Sequence, residues 1–292
     1  MNSNRERIIK YLIECRIVWH IKFFSLCFFL VASCQKNEAR HSASLSKEEK
    51  ADLDYFFRLL LFDNPGGVFV LFGSKPISEM FYCDTDAIGN KGPFLRNPAL
   101  GWKAWEKARP KLPLKRYLFG LRTKEDCQEV YLVDIQKTAL LLAENYEIFK
   151  ACVGFDFHPL EIVFEFENPN SVFWKKVFAP KSELTKGLLF GYGKKNALMW
   201  AWWQNDSYTG QVAEYLKHDL LSPSRGKIKL REGQLAREKI RLGSGPDHFD
   251  IPFFARIEED EQSDQYEKEK KRIGEIYRGK DLVDLTLKRL GS

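Results

Sequence analysis

The chain has no CxxC pair and no cysteine–histidine cluster at metal-ligand spacing, with only 6 cysteines and 5 histidines in 292 residues. That argues against a zinc module and a thioredoxin-type redox motif. There is no βαβ rhythm, no internal repeat and no low-complexity tract, which sets aside nucleotide-binding α/β folds, solenoids and disordered polymers. No basic stripe with a readable motif accompanies the net charge of +6, so no nucleic-acid partner is expected. Five Lys/Arg and two acids lie before Cys34, so half of that excess belongs to the N-terminal segment. Nor is there an uninterrupted run of the roughly 20 apolar residues that a lasting membrane span requires.

What is present is a globular composition, 44% hydrophobic and 14% aromatic with 23 Phe. It suffices for a sizeable core in one or two domains. The N-terminus carries a short apolar run, Phe23–Leu30, behind Arg16 and Lys22 and followed by Val31-Ala32-Ser33. Extending it backward to spanning length takes in Lys22, His20 and Arg16, which are costly at the bilayer centre. A basic start, a short apolar stretch and small residues are the parts of a cleavable leader.

Val31-Ala32-Ser33-Cys34 resembles the lipobox of bacterial lipoproteins. The resemblance implies removal of residues 1–33 and lipidation of Cys34, whose acyl chains would attach the mature protein to a membrane. With Gln35 after the cysteine, it implies the outer membrane of the cell envelope. The n-region of about 22 residues is longer than that pattern usually has. Residues 34–45 read as a polar tether and 46–292 as a single α+β domain. Cys83, Cys127 and Cys152 remain in the mature chain, and in an oxidising compartment two of the three could pair.

Ser46-Lys47-Glu48-Glu49 has capping-box spacing and predicts a helix through Leu60 that stops near Asn64–Gly67. Val68–Phe72 reads as a buried strand, Cys83–Pro98 as a loop and 101–108 as a short helix. Strands are expected at 116–121 and 129–135, with one helix over 137–152. In Leu160–Glu167 apolar and acidic residues alternate, predicting a strand with one solvated face. One long helix, or two divided at Gly191-Tyr192-Gly193, is expected over 181–203, and a short strand around Ile228 and Leu230. A charged helix carrying Ile273, Ile276 and Tyr277 should end at Gly279, before a last amphipathic helix over 282–290. The sum is α+β: a mainly antiparallel sheet packed by several helices, with a helical C-terminus.

Few residues suggest chemistry. Ser74, Lys75 and Ser78 share one turn, and a desolvated lysine can activate a serine, but the spacing is not Ser-x-x-Lys and a strand-exit turn explains it better. The glycines of Gly187–Gly193 lack the strand-then-helix setting of a phosphate loop and suit close packing and a turn. Trp200, Trp202 and Trp203 offer a lipid- or glycan-binding groove, against the commoner outcome of aromatic core. His248 and Asp250 form the one notable His–carboxylate pair, a candidate hydrolytic base without an evident nucleophile. No metal or cofactor is expected.

The lipobox, Phe72-Gly73-Ser74-Lys75-Pro76 and Gly187–Ala197 together resemble lipoproteins of the chlamydia-like, obligately intracellular bacteria. That resemblance implies a compartment and no activity. The expectation is a membrane-anchored envelope protein that binds or scaffolds, with a secreted hydrolase using His248/Asp250 or an indole-lined groove protein as alternatives.

Overall fold

The computed structural model describes residues 45–62, 66–83, 98–124, 127–180, 182–203, 249–252 and 261–292. The expected leader, Cys34, most of the tether, the Ile228/Leu230 strand and residues 84–97 of the expected loop lie outside them.

The fold is α+β. Helix α1, Lys47–Phe62, opens as expected. Glu49 N donates to Ser46 Oγ (3.1 Å) while Ser46 N donates to Glu49 Oε2 (2.8 Å), closing the capping box. Helix α2 is Val68–Phe72, and strand β1 is Ile77–Cys83. Helix α3, Pro98–Ala108, leads through a 3-10 turn to the hairpin β2 (Tyr117–Lys124) and β3 (Cys127–Asp134). The central helices are α4 (Ile135–Glu144), α5 (Tyr146–Val153), α6 (Pro159–Phe164), α7 (Val172–Val177), α8 (Glu183–Leu189) and α9 (Lys194–Trp203). The C-terminal pair is α10 (Glu261–Tyr277) and α11 (Leu282–Leu290), with Gly279 between them at φ 67°.

The three strands are antiparallel in the order β1-β3-β2. Helices cover both faces of the sheet. Met80, Tyr117, Phe119, Val130 and Leu132 enter one core with α1, α2, α3, α10 and α11. Ile77, Tyr131 and Val133 enter a second core with the central helices. With both faces dry, the strands lose the polar–apolar alternation of a half-exposed sheet. Among the described residues the cover stops at the hairpin end, where Phe81 and Leu121 are exposed.

Asp134 joins the layers. Its buried carboxylate caps α4 by accepting from Lys137 N (3.1 Å), and it pairs with Arg116 (2.9 Å) and Lys137 (3.2 Å). Lys137 Nζ also donates to Val70 O (2.6 Å), tying α4 to α2.

Three expectations are corrected. Val68–Phe72 is a helix, not a strand: an all-apolar run of five has no period to separate the two, and Gly66 at φ 78° turns the chain directly into a helical turn. Leu160–Glu167 is α6 plus a 3-10 turn, not a strand. Pro159 starts that helix at a favoured position, and Ile162, Val163 and Phe166 go inside while Leu160 and Phe164 are exposed. The single helix over 137–152 is two, broken at Asn145, whose Nδ2 donates to Leu141 O (3.0 Å). By contrast, 182–203 divides at Gly191–Gly193 as the glycines indicate.

Candidate functional site

After α2 the chain turns sharply at Gly73, where a Cβ would lie 2.3 Å from Glu269 Oε2 on α10. That close approach lets Ser74 N donate to Glu269 Oε2 (3.0 Å), and Arg272 reaches Phe72 O. A second turn, Gly191-Tyr192-Gly193, joins α8 to α9 with positive φ at both glycines. Tyr266 of α10 bridges to it, its hydroxyl donating to Gly191 O (2.7 Å). Gly187 packs α8 on α9, where a Cβ would sit 2.9 Å from that of Ala197.

Between these turns and the end of α4 lies a cleft of about 400 Å³, lined by Ser74, Pro76, Leu141, Glu144, Asn145, Leu188, Gly191, Gly193, Lys194, Gln262, Gln265 and Tyr266. The volume falls at the lower end of small-molecule sites. Asn145 and Gln265 each use an amide N–H on the fold, to Leu141 O and Glu269 Oε1, so their carbonyl oxygens serve as acceptors. The lining combines amides and glycine backbone with one acid, Glu144, and one base, Lys194, and suits a small polar ligand of no net charge.

Lys75 lies behind the cleft, wholly buried. Its Nζ donates to Phe190 O and sits 5.5 and 5.1 Å from the ring centroids of Phe190 and Tyr192. Burial pulls its pKa down to about 7. On the second-core face of the sheet, burial, with the neighbouring Glu129 charge, pushes the Glu79 carboxyl up to about 7. A lysine so poised is a competent base, yet the buried hydroxyls of Ser74 and Ser78 have no hydrogen-bond partner, so Lys75 engages neither. The turn does not assemble a Ser–Lys pair.

The remaining sequence candidates lie elsewhere. His248 is outside the described residues; Asp250 is fully exposed and pairs with Lys270 at 3.4 Å, away from the cleft. Trp200, half-buried on α9, does not line the cleft, and the side chains of Trp202 and Trp203 lie outside the described part. Among the described residues no group of three His, Cys, Asp or Glu could hold a metal, and no helix is long and apolar enough to cross a membrane. Gln262, Gln265 and Tyr266 went unnoticed in the sequence, although they form an uncharged i, i+3, i+4 stripe on a highly charged helix.

No family model, curated protein or solved structure matches this chain.

Proposed function

We propose that this chain is a lipid-anchored protein of the bacterial cell envelope, attached at the outer membrane through acyl chains on Cys34, that binds a small polar ligand of no net charge without transforming it. Residues 1–33 are the discarded leader and the polar residues that follow are the tether. The observation that carries the attachment is the basic-then-apolar start ending in Val31-Ala32-Ser33-Cys34. The cleft between Ser74, Asn145, Gln265 and Tyr266 supports binding. Its amide carbonyls recognise a ligand through hydrogen bonds, and its hydroxyls, buried or held by the fold, give no nucleophile joined to a base. The membrane is the first partner, and nucleic acid is not one.

Attachment is tested by Cys34→Ala in a Gram-negative host. The variant accumulates as unlipidated precursor and loses incorporation of labelled palmitate; palmitate labelling and membrane partition equal to the wild type would sink the attachment. Binding is tested by saturation-transfer NMR against monosaccharides and dipeptides. A signal that Gln265→Leu removes supports the cleft, whereas no signal, or one indifferent to that change, counts against it.

A further inference from the structure

The register of β1 against β3 ends with Cys83 opposite Cys127. Their separation depends on which kind of antiparallel pair they form, because hydrogen-bonded and non-hydrogen-bonded pairs alternate residue by residue. Asp134 N donates to Pro76 O (2.9 Å), which makes Pro76 and Asp134 a hydrogen-bonded pair. Cys83 lies an odd number of residues beyond Pro76, so Cys83 and Cys127 are a non-hydrogen-bonded pair. The other edge of β3 agrees. Ile135 N donates to Arg116 O (2.9 Å), and Lys124, an even number of residues beyond Arg116, is opposite Cys127. The backbone hydrogen bonds of Cys127 therefore turn toward β2 and leave its β1 side open.

Non-hydrogen-bonded pairs bring Cα atoms to about 4.5 Å, inside the roughly 4.4–6.8 Å that a disulfide bridges. We infer that Cys83 and Cys127 form a cross-strand disulfide, a covalent clip between the end of β1 and the start of β3. The third cysteine of the domain does not compete. Cys152 is free on α5, half-buried, with its Sγ 3.9 Å from Thr185 Oγ1 and from Lys176 O. Burial pushes its thiol pKa up, keeping it protonated and unreactive.

The oxidising surroundings rest on the envelope reading above. In forming the bond two S–H bonds break, one S–S bond forms, and two electrons and two protons pass to a disulfide oxidant, oxidised glutathione or a protein disulfide, which becomes the dithiol. The clip lies where residues 84–97 leave β1, and it closes a loop holding α3 and β2.

The test uses the full-length protein, produced in a Gram-negative host, trapped with an alkylating agent before lysis, and digested without reductant. The expected product joins the Cys83 peptide to the Cys127 peptide and leaves Cys152 unlinked; Cys152→Ala leaves the link in place and Cys83→Ser removes it. A parallel sample, reduced and purified, is equilibrated with oxidised glutathione, where compartment plays no part. Linkage in that sample with free thiols in the cell upholds the pairing and counts against export. Both thiols alkylated in protein recovered from the envelope, or either one joined to Cys152, overturns the disulfide and leaves the anchor at Cys34 untouched.

Discussion

Lys75 Nζ donates to the carbonyl of Phe190, 115 residues further along the chain, inside a core that excludes water. This contact holds the turn before β1 against the end of α8, and so fixes two walls of the cleft at once. It also places a titratable group where its charge is costly.

That cost gives stability a defined pH dependence. Lys75 titrates at about 7 when folded against an ordinary 10.5, so between those values the unfolded chain binds more protons and stability rises with pH. Glu79 titrates at about 7 against an ordinary 4.5, so the folded protein binds more protons in that window and stability falls as pH rises through it. The two contributions meet in a minimum near neutrality. In urea unfolding from mildly acidic to mildly alkaline pH, Lys75→Met should flatten the alkaline rise and Glu79→Gln the acidic fall. Slopes unchanged in both variants would refute this assignment.

The Gly191 turn should tolerate no side chain. Gly191 is at φ 71°, and a Cβ would lie 2.5 Å from the Tyr266 hydroxyl. Gly191→Ala is expected to cost about 1–2 kcal/mol for the left-handed backbone alone, with the steric conflict added. Tyr266→Phe removes only one hydrogen bond and should cost about 1 kcal/mol. Denaturant midpoints measure both, and the order of the two variants is the prediction.

Gly120 in β2 makes the sheet fit its second cover. A Cβ there would meet Phe166 Cε1 at 2.4 Å. Phe166 is itself boxed in by Tyr131 and Trp174, at centroid distances of 5.5 and 4.7 Å. Gly120→Ala should therefore destabilise by about 1–3 kcal/mol through overpacking, measured by thermal or urea unfolding.

Asp134 carries a buried charge with two cationic partners and a helix cap. Asp134→Ala leaves Lys137 without its carboxylate and α4 without its cap, for an expected loss of about 3–5 kcal/mol. Asp134→Asn preserves an acceptor for the Lys137 amide and should lose less. Equal losses for the two variants would show that the cap matters little.

Elements with their own start and stop signals were legible from residues alone. The capping box at Ser46 and Glu49, the hairpin strands, the Gly191–Gly193 break and the Gly279 stop are all where local chemistry puts them. Strand β1 and the break at Asn145 had no such signal, and two short apolar stretches, Val68–Phe72 and Leu160–Glu167, took the other conformation. Leu160–Glu167 alternates, but Ile162, Val163 and Phe166 also share a helical face, and Pro159 together with the Trp174 Nε1 bond to Ile162 O (2.8 Å) favours the helix. The cleft was not legible because its walls come from four distant segments. Ser74, Asn145, Gly191 and Gln265 have no common spacing, and only the packing of α10 across the two glycine turns gathers them.

The central claim is attachment through Cys34, and the mass of the mature N-terminus tests it most directly. Protein extracted with detergent from a Gram-negative host should begin at Cys34, with a diacylglyceryl group on sulfur and an acyl chain on the new amino group. An N-terminal peptide that begins upstream of Cys34, or a mature Cys34 bearing no lipid, would contradict the account.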